Sequence, residues 1–154
     1  MKVLVTGATG MVGNNVVRKL LERGITTRVL ARSASAPRPL QGLDVEIVEG
    51  DVRDSEAVRR AVDAVDGVVH AAAMVHIGWT RLEEQRQINV EGTRNVALAA
   101  RDAGARLVHV SSVDALAPAR RDLPSDEETP PAPKHSCGYV VTKREAEQVV
   151  LDLI

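Results

Sequence analysis

Along the chain, short apolar runs alternate with stretches in which apolar residues recur every three or four positions. The first pattern predicts buried strands and the second amphipathic helices. Lys2 to Thr6 is a Val-rich run that predicts a first strand and ends at Gly7. Val12, Val16, Val17, Leu20 and Leu21 then share one helical face until Gly24 stops the pattern. Thr27 to Ala31 and Val45 to Glu49 read as two more strands. Between them, Arg32 to Leu43 is too short and too rich in Pro, Ser and Gly for a good helix, so this crossover reads as a loop. Asp54 to Val65 predicts a helix capped by Asp54 or Ser55, with Val58, Ala61, Val62 and Val65 on one face. Gly67 to Ala73 predicts a fourth strand, Leu82 to Ala103 a long helix ended by Gly104, and Ala105 to Ser111 a fifth strand. A last helix begins near Gly138 and runs to the end of the sequence. Strands separated by helices imply right-handed crossovers, hence an α/β fold with a doubly wound parallel sheet covered on both faces.

The turn after the first strand carries the first chemistry. Thr6-Gly7-Ala8-Thr9-Gly10-Met11-Val12-Gly13 opens the first helix. In dinucleotide-binding turns one Gly makes a tight bend, a second lets backbone approach a pyrophosphate, and a third lets helix pack closely on strand. The helix amino terminus adds free N–H groups and partial positive charge. Gly7, Gly10, Met11, Val12 and Gly13 are therefore candidate cofactor residues, against the plainer reading of a Gly-rich turn that binds nothing. The second strand ends Val29-Leu30-Ala31-Arg32, without the acid that would bind a ribose 2′-hydroxyl. A guanidinium there suits a 2′-phosphate, so NADP(H) is favoured and NAD(H) remains possible. The alternative for Arg32 is an exposed basic loop residue.

Composition narrows the field. The 154 residues, one domain's worth, are 44% apolar and 27% charged with net charge -1. This argues against charge-driven nucleic-acid or membrane partners. There is no Phe, one Trp and one Tyr, so the core must be built from Val, Ala, Leu and Ile. Cys137 stands alone, which removes an internal disulfide, and no His/Asp/Glu grouping has metal spacing, so no metal is expected. Nothing at the amino terminus reads as a signal peptide; a reducing, cytoplasmic setting is the expectation.

Tyr139 and Lys143 are four apart in a helical pattern and share a face, with Ala146 and Val150 continuing the stripe. A phenol is a poor base at neutral pH, and a nearby ammonium favours its ionised form. Ser112, at the carboxyl end of the fifth strand, stands where ligands bind in open parallel sheets. Ser112, Tyr139 and Lys143 form the candidate catalytic set, Ser112 holding a substrate oxygen and Tyr139 moving the proton. The bland alternative is packing, since Tyr and Lys at this spacing are common on helix surfaces.

The G-x-x-G-x-x-G spacing resembles the short-chain dehydrogenase/reductase superfamily. Four further segments in order are similar to its extended branch, the NAD-dependent epimerase/dehydratase family. They are Gly50-Asp51-Val52-Arg53-Asp54; Asp66-Gly67-Val68-Val69-His70-Ala71-Ala72-Ala73; Asn89-Val90-Glu91-Gly92-Thr93-Arg94-Asn95; and Ser111-Ser112 with Tyr139-Val140-Val141-Thr142-Lys143. The resemblance implies a Rossmann-like fold and hydride transfer at a hydroxyl or carbonyl of a sugar nucleotide or similar small molecule. It also implies cofactor contacts from Asp51, Val52, Ala71, Ala72, Ala73, Asn89, Tyr139 and Lys143, a structural His70, and possible homo-oligomers. A non-catalytic dinucleotide-binding module or redox sensor is the competing reading.

Two departures matter. Val113-Asp114 follows Ser112, where sugar dehydratases of the family carry Asp-Glu, so dehydration is disfavoured. Leu116-Ala117 replaces the Tyr-Gly of sugar epimerases and is more like dihydroflavonol and steroid reductases. From Val113 to Cys137 no period survives; Pro118, Pro124, Pro130, Pro131 and Pro133 punctuate an acidic stretch that resembles the family's active-site loop. Trp79, in a Gly-flanked turn, reads equally as a buried anchor or a substrate wall, and Cys137 as packing. Because family members continue past the Tyr/Lys helix, residues 1–154 are expected to form the dinucleotide-binding domain, with the carboxyl-terminal substrate-binding part absent from this chain.

Overall fold

The computed structural model describes residues 1–33, 38–116, 124–129 and 137–153. Strands β1 (Lys2–Thr6), β2 (Thr26–Ala31), β3 (Glu46–Glu49), β4 (Gly67–His70) and β5 (Arg106–His109) form one sheet. Every pairing is parallel and the spatial order is β3-β2-β1-β4-β5. The chain winds outward from β1 to β3, then crosses back to β4 on the other side. That reversal opens a crevice at the carboxyl ends of β1 and β4.

Alternation within β1 sends residues to both faces. Val3 and Val5 pack with Val29, Leu40 and Val17 of helix α1 (Met11–Glu22). Leu4 faces the other way, with Leu30, Val68, Val58, Ala61 and Val62 of α2 (Ser55–Val62), and Val96, Ala99 and Ala100 of α4 (Gly92–Asp102). Helices cover both faces, so the doubly wound, Rossmann-like expectation holds. Each fully buried Val or Leu contributes about 1.5–3 kcal/mol, and small Ala side chains on α4 let it approach the sheet without any Phe between.

The remaining elements refine the expected boundaries. Asp54 caps α2, its Oδ1 accepting from Glu56 N–H and Ala57 N–H, a cap worth about 1 kcal/mol. The helix stops at Val62, not Val65, because Ala64 takes a left-handed conformation with φ 54°. β4 ends at His70 rather than Ala73: β1, its neighbour, has by then turned into the glycine bend and offers no further ladder. The expected single helix from Leu82 is α3 (Leu82–Gln85), a π-helical segment (Arg86–Glu91) and α4 in succession. Such wide turns are frequent at functional sites. Helix α5 (Gly138–Leu151) starts where expected but stops within the sequence, at the Asp152 C-cap. Residues 117–123 and 130–136, most of the Pro-punctuated stretch, lie outside the described residues.

Candidate functional site

The glycine turn is shaped for close backbone approach. Gly7 has φ +70°, and a Cβ there would lie 2.6 Å from the Ala71 carbonyl and the Ala72 nitrogen. A Cβ on Gly13 would fall onto the Gly7 carbonyl. At Gly10 the nearest atom would be the Gly7 oxygen, at 3.4 Å. Gly7 and Gly13 therefore let turn, helix and β4 close on one another, while Gly10 presents bare backbone outward. Gly10 is the N-cap of α1, with no side-chain cap and no acid in the first turn. Met11 and Val12 begin the helix with side chains 82% and 47% exposed, leaving their backbone as the part suited to an anion.

A cleft of about 430 Å³ runs from this turn along the carboxyl ends of β1 and β4. Gly7, Gly10, Arg32, Asp51, Val52, Ala71, Ala72 and Ala73 line it, together with Thr9, Met74, Val75, Arg81, Glu84 and Ile88. That volume is within the range of small-molecule sites. A dinucleotide fits these residues: an unblocked helix terminus for phosphates, and small side chains where a flat ring must slide in. At the β2 end, Arg53 donates through Nε to Asp51 Oδ1 and through Nη2 to Asp51 Oδ2, both at 2.9 Å. That pairing, with Arg32 nearby, holds the Asp51 carboxyl below the usual carboxylate range. Arg32 itself makes no ion pair among the described residues.

Behind the cleft lies a buried polar chain. Thr93 Oγ1 donates to the Asn89 carbonyl, so it accepts from His70 Nε2 at 3.0 Å and the ring proton is assigned there. His70 Nδ1 then accepts from Thr6 Oγ1 at 2.6 Å, and Thr6 Oγ1 accepts from Ala72 N–H. Asn89 continues the chain: its Oδ1 accepts from Met74 N–H at 2.7 Å, and its Nδ2 donates to Met74 O and to Thr142 Oγ1. The network ties β1, β4, the π segment and α5 into one frame. Asn89 is thus placed beneath the cleft wall rather than in it.

Burial pushes the His70 pKa from 6.5 down to about 3, with His109 and Lys143 adding to the fall. His109 falls likewise to about 4, by burial and then by Lys143. Both are neutral in the fold and charge more readily when unfolded, so their contribution is complete above pH 6.5 and is lost as pH falls toward 4 and 3. The stability advantage of the wild type over His70→Asn is expected to shrink steadily below pH 6.5, measured by thermal melts across pH. A constant advantage would contradict it.

Ser112 lies just beyond β5, Tyr139 and Lys143 lie on the first turns of α5, and Lys143 reaches back to the carboxyl end of β5. Ser112 caps a 3₁₀ turn (Val113–Ala115), its Oγ accepting from Asp114 N–H at 3.2 Å. Lys143 is 2% exposed; its Nζ donates to Val110 O at 2.7 Å and lies 3.5 Å from His109 Nε2. Burial lowers its pKa. Tyr139 is half-buried, and its hydroxyl has no hydrogen-bond partner among the described residues. Arg144 binds Ala115 O at 2.8 Å and Leu116 O at 3.1 Å, fastening the Ser112 turn to the helix that carries Tyr139 and Lys143. Cys137 is the half-buried N-cap of α5, and Trp79, 54% exposed, is not a buried anchor. No group of three metal-ligating side chains occurs among the described residues, and no described helix is long and apolar enough to cross a membrane.

Sequence reasoning missed Arg53, Thr142, His109 and Arg144. Thr142 had a signal, its place inside the Tyr139 to Lys143 motif. Arg53 had one too, inside the Gly50 to Asp54 segment and two residues from its partner Asp51; His109 and Arg144 act through contacts that only the fold creates.

The sequence matches the NAD dependent epimerase/dehydratase family over residues 3–154. The chain belongs to that family. It is 39% identical over 152 residues to the 4-hydroxy-2-methyl-3-oxo-4-farnesyl-3,4-dihydroquinoline-1-oxide ketoreductase of Stigmatella aurantiaca, covering 98% of this chain and 45% of the relative. Among solved structures, gox2253 superposes with TM-score 0.87 at 41% identity, covering 99% of this chain and 47% of that one. The UDP-glucose 4-epimerase of Thermus thermophilus, solved with NAD, superposes with TM-score 0.82 at 30% identity, covering 99% of this chain and 50% of its own. The chain thus spans about half the length of the relatives it matches.

Proposed function

We propose that this chain binds NADP(H) and forms the cofactor half of an oxidoreductase, or an epimerase, acting on a hydroxyl or carbonyl carbon. The observation that carries this reading is the cleft itself, with Gly7 pressed against the Ala71 backbone and Arg32 among the lining residues. Gly10 and the backbone of Met11 and Val12 hold the pyrophosphate, and Gly7 and Gly13 let the turn close tightly enough to present them. Asp51 and Val52 bound the adenine, and Ala71, Ala72 and Ala73 form a wall small enough for the ring system to lie flat. Asn89 fixes that wall through Met74 and fixes α5 through Thr142. A bound nicotinamide supplies or accepts hydride. Ser112 Oγ donates a hydrogen bond to the substrate oxygen, and Tyr139 Oη gives or takes its proton. Lys143 and Tyr139 complete the nicotinamide end of the site, Lys143 keeping a positive charge beside the reacting oxygen.

NADP(H) is preferred because Arg53 already neutralises Asp51, leaving Arg32 for a 2′-phosphate. Direct titration tests this. Wild type should bind NADPH more tightly than NADH, and Arg32→Glu should weaken NADPH about tenfold or more while changing NADH less than threefold. Equal or tighter NADH binding by the wild type would favour the second reading, NAD(H), which the NAD-bound epimerase neighbour supports.

A further inference from the structure

The segment that leaves β4 beyond the cleft has a second pattern. Exposure alternates with period two from Ala73 to Trp79: Ala73, Val75, Ile77 and Trp79 are exposed, while Met74, His76 and Gly78 are half-buried. The inward residues are each tied down. Met74 exchanges two hydrogen bonds with Asn89. The His76 carbonyl accepts from Gln85 Nε2 at 3.0 Å, and the Gly78 carbonyl accepts from Gly138 N–H at 2.9 Å. Gly78, at φ +144°, turns the chain against α5 one residue before Tyr139. The outward residues therefore form a fixed apolar stripe rather than a loose loop, with Val75, Ile77 and Trp79 67%, 73% and 54% exposed. It begins inside the cofactor cleft, since Val75 lines it, and ends where α5 delivers Tyr139. No Asp, Glu, Lys or Arg occurs between Ala71 and Thr80.

Large apolar residues held on a surface mark a binding face. This one continues directly from the nicotinamide end of the cleft and carries no cationic side chain for a diphosphate. We propose that Val75, Ile77 and Trp79 are the substrate wall for a predominantly apolar ketone or alcohol, such as a fused-ring or alkyl-chain carbonyl compound, and not for a sugar nucleotide. This rests on the dinucleotide reading above. An apolar skeleton lies along the stripe while its one oxygen reaches Ser112 and Tyr139.

The test uses the complete protein saturated with NADP⁺, titrated calorimetrically with progesterone, dodecan-2-one and UDP-glucose. At least one of the two ketones should bind saturably and UDP-glucose should not. Ile77→Asp and Trp79→Ala should each weaken that ketone about tenfold with NADP⁺ affinity unchanged within twofold. Failure of both NADP⁺ and NAD⁺ to bind would remove the dinucleotide reading. NADP⁺ binding with neither ketone bound, or with UDP-glucose bound in their place, would overturn the stripe alone. So would ketone affinity unchanged in both variants, whether or not the melting temperature of Ile77→Asp falls as it would for a packing face.

Discussion

In the complete protein, Tyr139→Phe should lower turnover by about 10²–10⁴-fold, the range expected when a positioned proton donor is lost, while dinucleotide affinity stays within about twofold. The change removes one oxygen and keeps the ring. Because the Tyr139 hydroxyl has no partner among the described residues, its loss leaves no buried group unsatisfied, and the melting temperature should move little. Phe also keeps the helical spacing to Lys143, whose ammonium is held on the β5 side by Val110 O. Steady-state rates with NADPH and a carbonyl substrate, paired with a cofactor titration, separate the two effects. If turnover survived at more than a tenth of wild type, Tyr139 would not be the proton donor. An unchanged biological output with intact cofactor binding would favour a sensor over an enzyme.

Much of this architecture was legible because it is local. Short Val-rich runs, the glycine turn and the Asp54 cap each announce themselves over a few residues, and parallel order follows from the helices between them. Element ends were less legible. The Gly67 to Ala73 run is apolar apart from His70, so nothing in it says that β1 stops supplying a partner after Thr6. The π segment is hidden for the same reason: the apolar spacing from Leu82 onward fits an ordinary helix, and the wider turn is recognised only once Asn89 is seen bridging Met74 and Thr142.

Within the site, Gly7, Gly10, Arg32, Asp51, Val52, Ala71, Ala72 and Ala73 were readable as lining from the turn and the strand ends, while Thr9, Met74, Val75, Arg81, Glu84 and Ile88 were not. The buried chain from Ala72 through Thr6, His70 and Thr93 to Asn89 was not readable either. Its members are 64 and 23 residues apart at successive links, and a Thr or His carries no local mark of its partner. The same holds for Arg144, whose guanidinium joins two segments of the candidate catalytic set. Alternation from Ala73 to Trp79 is visible in sequence as apolar residues at every second position, but only the anchoring of the intervening residues distinguishes a rigid wall from a loop.

Gly7→Ala is expected to destabilise the fold by about 2–5 kcal/mol, combining left-handed strain of about 1–2 kcal/mol with overpacking of about 1–3 kcal/mol, and to abolish dinucleotide binding. The new methyl would meet the Ala71 and Ala72 backbone at 2.6 Å. The backbone just beyond β4 cannot retreat, because Ala71 N–H bonds to Thr6 O and Ala72 N–H to Thr6 Oγ1. The turn must open instead, and with it the start of α1. Two other glycines separate the causes. Gly24 has nearly the same φ, +69°, with nothing within 4 Å, so Gly24→Ala should show only the strain, about 1–2 kcal/mol, and normal binding. Gly10 has no such strain and would meet only the Gly7 oxygen at 3.4 Å, so Gly10→Ala should fold nearly as well as wild type yet bind NADPH about tenfold more weakly, its methyl standing where phosphate approaches. Chemical denaturation and NADPH titration of the three variants give the comparison. If Gly10→Ala bound NADPH as wild type does, the phosphates would not lie against this turn, whatever Gly7→Ala did to the fold.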